Sequence, residues 1–315
     1  MIGLADIQSA RERIRGRVAR TPLVSSATLS TRLGAQVHLK LELFQKTGSF
    51  KVRGAFNKTL SIPDGQRGRG LAAVSGGNHA QAVAYVAGQL GLRSVILMPQ
   101  ATPRNYVEAT RGYGAEVVLV ENSAVAFEKL PSYETDGWTT IHPFDDELVM
   151  AGQGTVGLEI LEDLPDVTDV VISIGGGGFM GGVATAIKSS KPDVRMWGVE
   201  TEGADAMARA LAAGHPVQLA AITSIARTLG APSVSERTLM LAQKYLESVT
   251  VVPDREAVIA LRFLLERAKV LTEPAAACTL AAAERLRDRF TRDSRVVLIL
   301  CGGNTAVDDL CGYKT

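Results

Sequence analysis

Short apolar, β-branched runs alternate with amphipathic or alanine-rich stretches along most of the chain. Residues 37–43, 71–74, 94–98, 116–120, 169–174, 195–200 and 295–300 have the length and composition of strands. Apolar positions at helical spacing predict helices over 78–90, 103–113, 149–161, 179–188 and 254–269. Gly91 and Gly114 stop two of these helices just before a strand, and Pro103 sits where a first helical turn accepts it. The strands are apolar throughout rather than alternating, which is the pattern of parallel strands covered on both faces by helices. The expected architecture is therefore α/β. No period of 20–50 residues recurs, and no Pro/Ser-rich linker or charge block divides the chain. The irregular polar stretches around 48–51 and 142–146 are the places where the chain is expected to cross between domains.

Length and charge narrow the function. The 315 residues suggest two domains of ordinary size. With 34 Lys+Arg against 33 Asp+Glu, there is no basic surface for nucleic acid or anionic membrane. The longest uncharged run, 170–187, is interrupted by Gly175, Gly176, Gly177, Gly178, Gly181 and Gly182, so it reads as strand, loop and helix rather than a membrane span. The first residues lack the basic and apolar regions of a secretory signal, and Cys278, Cys301 and Cys311 are too few for a disulfide framework. A cytoplasmic protein is the expectation. What asks for an explanation is the 31 glycines.

The densest group, Ser173-Ile174-Gly175-Gly176-Gly177-Gly178-Phe179-Met180-Gly181-Gly182, follows a strand and opens a helix. Free N–H groups and the positive end of a helix dipole there suit an anion, most simply a phosphate. A nucleotide P-loop is excluded because no Gly-Lys-Ser/Thr follows. Gly176-x-Gly178-x-x-Gly181, with Glu200 ending the next strand, also fits a dinucleotide fingerprint. At this point an NAD-linked oxidoreductase and a tight structural turn both stay open.

Three further loops carry reactive side chains: Gln45 to Ala55 with Lys51, Val74-Ser75-Gly76-Gly77-Asn78-His79, and Leu300-Cys301-Gly302-Gly303-Asn304. Beyond the carboxyl ends of strands, such loops can converge on one crevice. With Arg20-Thr21-Pro22-Leu23, Ala151-Gly152-Gln153-Gly154-Thr155 and Glu273-Pro274-Ala275, the chain over nearly its whole length resembles the serine/threonine dehydratase family of pyridoxal phosphate enzymes. That family shares the tryptophan synthase β-like fold. The resemblance implies two open, mostly parallel α/β domains with the cofactor in the crevice between them. It implies residues 1–51 and 144–315 as the large cofactor-binding domain and 52–143 as a small mobile one.

By the same resemblance, Lys51 carries the cofactor as a Schiff base and then acts as general base. Phe50 packs on a face of the ring, Asn78 meets the ring hydroxyl, and Cys301 lies beside the pyridine nitrogen. Gly175, Gly176, Gly177 and Gly178 cradle the phosphate. Ser75 with the backbone of Gly76, Gly77, Asn78 and His79 holds the substrate carboxylate, so His79 contributes its backbone rather than its imidazole. The implied reaction is β-elimination from L-threonine, L-serine or a related 3-hydroxy amino acid, giving a 2-oxo acid and ammonia in a homodimer or homotetramer. A lysine desolvated behind Phe50 suits this chemistry, because an imine needs a neutral amine. A thiol leaves the ring nitrogen without a charged partner, which favours elimination over transamination.

The chain also departs from the family. Gly76 stands where serine racemase has its second catalytic serine, so racemase activity is expected to be weak or absent. The position that holds a metal-binding acid in some members is Ala206, and His38, His142 and His215 have no ligand spacing, so no metal is expected. Ile225-Ala226-Arg227-Thr228-Leu229-Gly230 replaces the family's Ala-Asp-Gly stretch, which keeps 3-hydroxyaspartate and phenylserine open as substrates. The chain ends soon after Asn304, so no isoleucine-sensing regulatory domain is expected.

Overall fold

The structure, a computed structural model, describes residues 1–313. Among the described residues, ten strands form two sheets: β1 (Leu23–Ser25), β2 (Gln36–Leu41), β3 (Leu71–Val74), β4 (Ser94–Pro99), β5 (Glu116–Val120), β6 (Thr139–Thr140), β7 (Asp169–Ser173), β8 (Arg195–Thr201), β9 (Ser248–Val252) and β10 (Arg295–Leu300). The larger sheet has the order β1-β2-β10-β7-β8-β9 and the smaller β5-β4-β3-β6. All pairings are parallel except β1 with β2. The smaller sheet is inserted between β2 and β7, with helices Lys51–Ser61 and Glu147–Asp163 leading out and back.

Apolar strands end up buried for the expected reason. Every residue of β7 is buried, as are all of β3 and all but the first of β10. In the smaller sheet, pleating sends alternate residues to separate cores. Leu71, Ala73, Ile96 and Met98 pack with Ala80, Val83 and Ala87 of helix Asn78–Gln89. Ala72, Val74, Val95 and Leu97 pack with Ala126 and Leu130 on the other face.

The seven strands read from the sequence all exist, with β2 ending at Leu41 before two short 3-10 turns. Three strands escaped the pattern. β1 and β6 are too short to show a period, and β9 is a half-exposed edge strand beginning with an exposed serine. The stretch 51–55, read as loop, is instead the start of helix Lys51–Ser61. Its Gly54 allows close packing on helix Glu147–Asp163: a Cβ there would lie 2.7 Å from the Val149 carbonyl oxygen. The helix expected over 254–269 is α-helical only to Phe263, and a π-helical turn, Leu264–Ala268, completes it.

Candidate active site

The loops after β3, β4, β7 and β10 meet over a cavity of about 890 Å³ between the two sheets. Phe50, Lys51, Ser75, Gly76, Gly77, Asn78, His79, Gly175, Gly176, Gly177, Gly178 and Cys301 all line it. Residues far apart in sequence are joined there by main-chain bonds. Phe50 N–H donates to the Cys301 carbonyl at 3.2 Å and Gly303 N–H to the Gly48 carbonyl at 2.9 Å. The Asn304 side chain donates to the Thr47 carbonyl at 2.7 Å. Together these fix the start of helix Lys51–Ser61 against the end of β10.

Lys51 is the first residue of that helix, and its Nζ donates to the Pro143 carbonyl at 2.8 Å. Burial lowers its pKa to about 8, against the opposing pull of Cys301 and Glu273. At a pKa of about 8, roughly a tenth of the amine is neutral at pH 7. Phe50 stacks on Phe179 with ring centroids 3.8 Å apart, making an apolar wall beside the amine.

Beside Lys51, Cys301 and His79 are held uncharged. Burial pushes the Cys301 thiol up to about 12, and Ser173 Oγ donates to its sulfur at 3.4 Å. His79 Nε2 lies 2.8 Å from the Ile141 carbonyl oxygen, so that nitrogen carries the proton. Burial lowers His79 to about 3, and its imidazole stays neutral. The ring is thus tied to the end of β6.

Glu273, which sequence reasoning placed in a motif without a role, is the least expected member. It is 2% exposed, and its Oε1 accepts from Asn78 Nδ2 at 2.9 Å and Thr228 Oγ1 at 3.0 Å. Its Oε2 has no hydrogen-bond partner among the described residues, and burial raises the carboxyl to about 7. Asn78 Oδ1 in turn accepts from Asn304 Nδ2 at 2.7 Å. Asn78 therefore has one amide proton left for a ligand. The signal for Glu273 was a carboxylate immediately before an alanine-rich helix, Pro274–Arg285. Glu200, the candidate ribose ligand of the dinucleotide reading, caps the helix Ala206–Ala213 instead, accepting from Met207 N–H at 2.9 Å and Ala208 N–H at 2.8 Å.

The loop after β7 has the properties of an anion cradle. The first turn of helix Gly178–Ser190 leaves N–H groups without intrahelical carbonyls, and the first such bond is from Gly181 N–H to the Gly177 carbonyl. Gly177 takes φ +89°, and a Cβ at Gly176 would lie 2.2 Å from the Phe144 ring. Only backbone can line this part of the cavity. A buried amine of lowered pKa, an anion cradle and an unpartnered carboxyl oxygen around one cavity fit pyridoxal phosphate.

Comparison with known proteins agrees. Residues 14–302 match the family model described as pyridoxal-phosphate dependent enzyme. The L-threonine ammonia-lyase of Thermotoga maritima is 41% identical over 310 residues, 98% of this chain and 77% of that protein. Maize serine racemase superposes with a TM-score of 0.93 at 33% identity, covering 98% of this chain and 96% of that one. The processed form of threonine deaminase isoform 2 from Solanum lycopersicum gives a TM-score of 0.90 at 32% identity, covering 98% and 85%.

Proposed function

The chain belongs to the pyridoxal-phosphate dependent enzymes, and from that premise we propose that it is a hydroxy-amino-acid ammonia-lyase. It converts L-threonine, and L-serine beside it, to a 2-oxo acid and ammonia. The observation that carries this reading is Lys51, a buried amine with its pKa lowered to about 8, lining one cavity with the loops at 175–178 and 75–79. Similarity to L-threonine ammonia-lyase over 98% of the chain supports the substrate class.

In this reading, Gly175, Gly176, Gly177 and Gly178 bind the cofactor phosphate through N–H groups. Phe50 packs on the ring, Asn78 donates to its hydroxyl, and Lys51 anchors it covalently. When bound, pyridoxal phosphate supplies an electron sink for the substrate α-carbon. Ser75 and the backbone from Gly76 to His79 hold the substrate carboxylate and so fix which bond at Cα faces Lys51. The Lys51 amine takes the Cα proton as general base. Cys301, kept as a thiol, places no charge beside the ring nitrogen, which favours loss of the β-hydroxyl over transamination. We take residues 52–143 as a small mobile domain closing on 1–51 and 144–315, in a cytoplasmic homodimer or homotetramer.

Arg227 favours a second reading. It lines the cavity, with no ion pair among the described residues, and would suit 3-hydroxyaspartate. A panel of threonine, serine, 3-hydroxyaspartate and phenylserine, compared by kcat/KM, separates the two. The primary test is direct. The purified protein should be yellow, borohydride should fix the cofactor to Lys51, and L-threonine should give 2-oxobutyrate. Lys51→Ala should lose turnover by at least ~10³-fold, as removal of an activated amine and general base requires. A colourless protein, or a cofactor fixed elsewhere, would overturn the reading.

A further inference from the structure

Gly76 sits in the loop after β3, and its backbone is outside the left-handed region, so its conformation would accept a side chain. A neighbour crowds one. A Cβ at position 76 would lie 2.7 Å from Thr102 Oγ1 and 3.6 Å from its Cγ2. The contact follows from topology. β3 and β4 are adjacent and parallel with Val74 opposite Leu97, so the loops leaving their carboxyl ends run side by side. The turn closed by Thr102 N–H on the Pro99 carbonyl at 2.9 Å then sets Thr102 against Gly76. Thr102 lines the same cavity, and its hydroxyl has no protein partner among the described residues.

The geometry points to Thr102 as a substrate-binding residue: its hydroxyl occupies the place a side chain on residue 76 would fill and donates there to the substrate carboxylate. This deepens the ammonia-lyase reading and rests on it, since that reading puts the carboxylate at the Ser75 to His79 loop. A hydroxyl serves because it donates to an anion yet carries no charge to desolvate. Two adjacent strand ends then share the recognition of one anion. The pair is also reciprocal, because positions 76 and 102 compete for one volume.

Two measurements on the same variants test this. Thr102→Val keeps the shape and removes the hydroxyl. It should raise the Kd of L-alanine, an amino acid without a β-leaving group read by the change in cofactor absorbance, about tenfold, as loss of a hydrogen bond to a charged group implies. The KM for L-threonine should rise by a similar factor, with kcat changed less than about threefold, and Thr102→Ser should stay near wild type. Independently of turnover, Gly76→Ser should lower the thermal midpoint with and without cofactor, and Gly76→Ser/Thr102→Ala should recover it. An unchanged alanine Kd in Thr102→Val, or strictly additive midpoints, overturns the proposal. A wild type that binds L-alanine but does not consume L-threonine overturns the ammonia-lyase reading alone, and the Thr102→Val binding comparison still decides this one. A wild type that binds no amino acid overturns both.

Discussion

Replacing Arg53 by methionine tests how the helix carrying Lys51 is held. Arg53 lies two residues beyond Lys51 and is 1% exposed. Its Nε and one terminal nitrogen each donate to Glu42 at 2.8 Å, and its terminal nitrogens donate to Glu159 at 2.7 and 3.0 Å. Lys40, fully buried, donates to Glu159 at 2.6 Å and to the Thr21 carbonyl at 2.7 Å. Two cations thus balance two carboxylates, and the cluster is neutral. Arg53→Met preserves much of the volume but leaves a net negative charge without water. Removing one partner of such a buried set costs about 3–5 kcal/mol. Arg53→Met/Glu42→Gln restores neutrality while keeping Lys40 on Glu159, and should recover at least ~1 kcal/mol of that loss.

Urea unfolding of the cofactor-free protein at fixed slope reads both values. The pH dependence supplies the sign. In the wild type, Arg53 and Lys40 hold the Glu159 carboxyl below its ordinary value against burial. That stabilisation is present above the ordinary carboxylate range and is lost as pH falls through the lowered value. Without Arg53, burial gains on the remaining attraction and protonation becomes easier, so the gap between variant and wild type should narrow from pH 8 to pH 5. An Arg53→Met cost below ~1 kcal/mol, or a double variant no better than the single, would refute a buried charge cluster as the anchor.

Two further outcomes follow from the cavity. Gly176→Ala puts a methyl 2.2 Å from the Phe144 ring, so cofactor affinity should fall by at least ~10-fold in equilibrium titration, with partial recovery in Gly176→Ala/Phe144→Ala. Glu273 is raised from 4.5 to about 7 by burial, so its contribution to cofactor-free stability is present below the ordinary carboxylate range and lost as pH rises through about 7. That loss amounts to ~3 kcal/mol, and Glu273→Gln should remove it from the pH–stability profile measured by urea midpoints. A profile with unchanged slope would contradict the buried, near-neutral carboxyl.

Local information sufficed where the physics is local. Apolar runs such as 169–174 and 295–300 had to be buried strands, and glycines after a strand and before a helix had to expose N–H groups. Those signals, with the motif order around Lys51, identified the α/β class and the family resemblance. Edge strand β9 and the two shortest strands lacked a period and stayed invisible. Long-range partnerships had no sequence signal at all. Asn78 meets Glu273 across 195 positions, and Asn304 meets Thr47 across 257.

The 31 glycines show the same division. The chain by itself determined that many of them cluster in loops able to approach an anion. Only the packed structure decided which of them avoid a neighbour: the Phe144 ring at Gly176, the Val149 carbonyl at Gly54 and the Thr102 hydroxyl at Gly76. A side chain's absence is written in the sequence, but the atom that crowds it arrives from another loop or helix. Periodicity and turn chemistry act over a few residues, whereas close packing of a cavity wall depends on which elements the topology sets side by side.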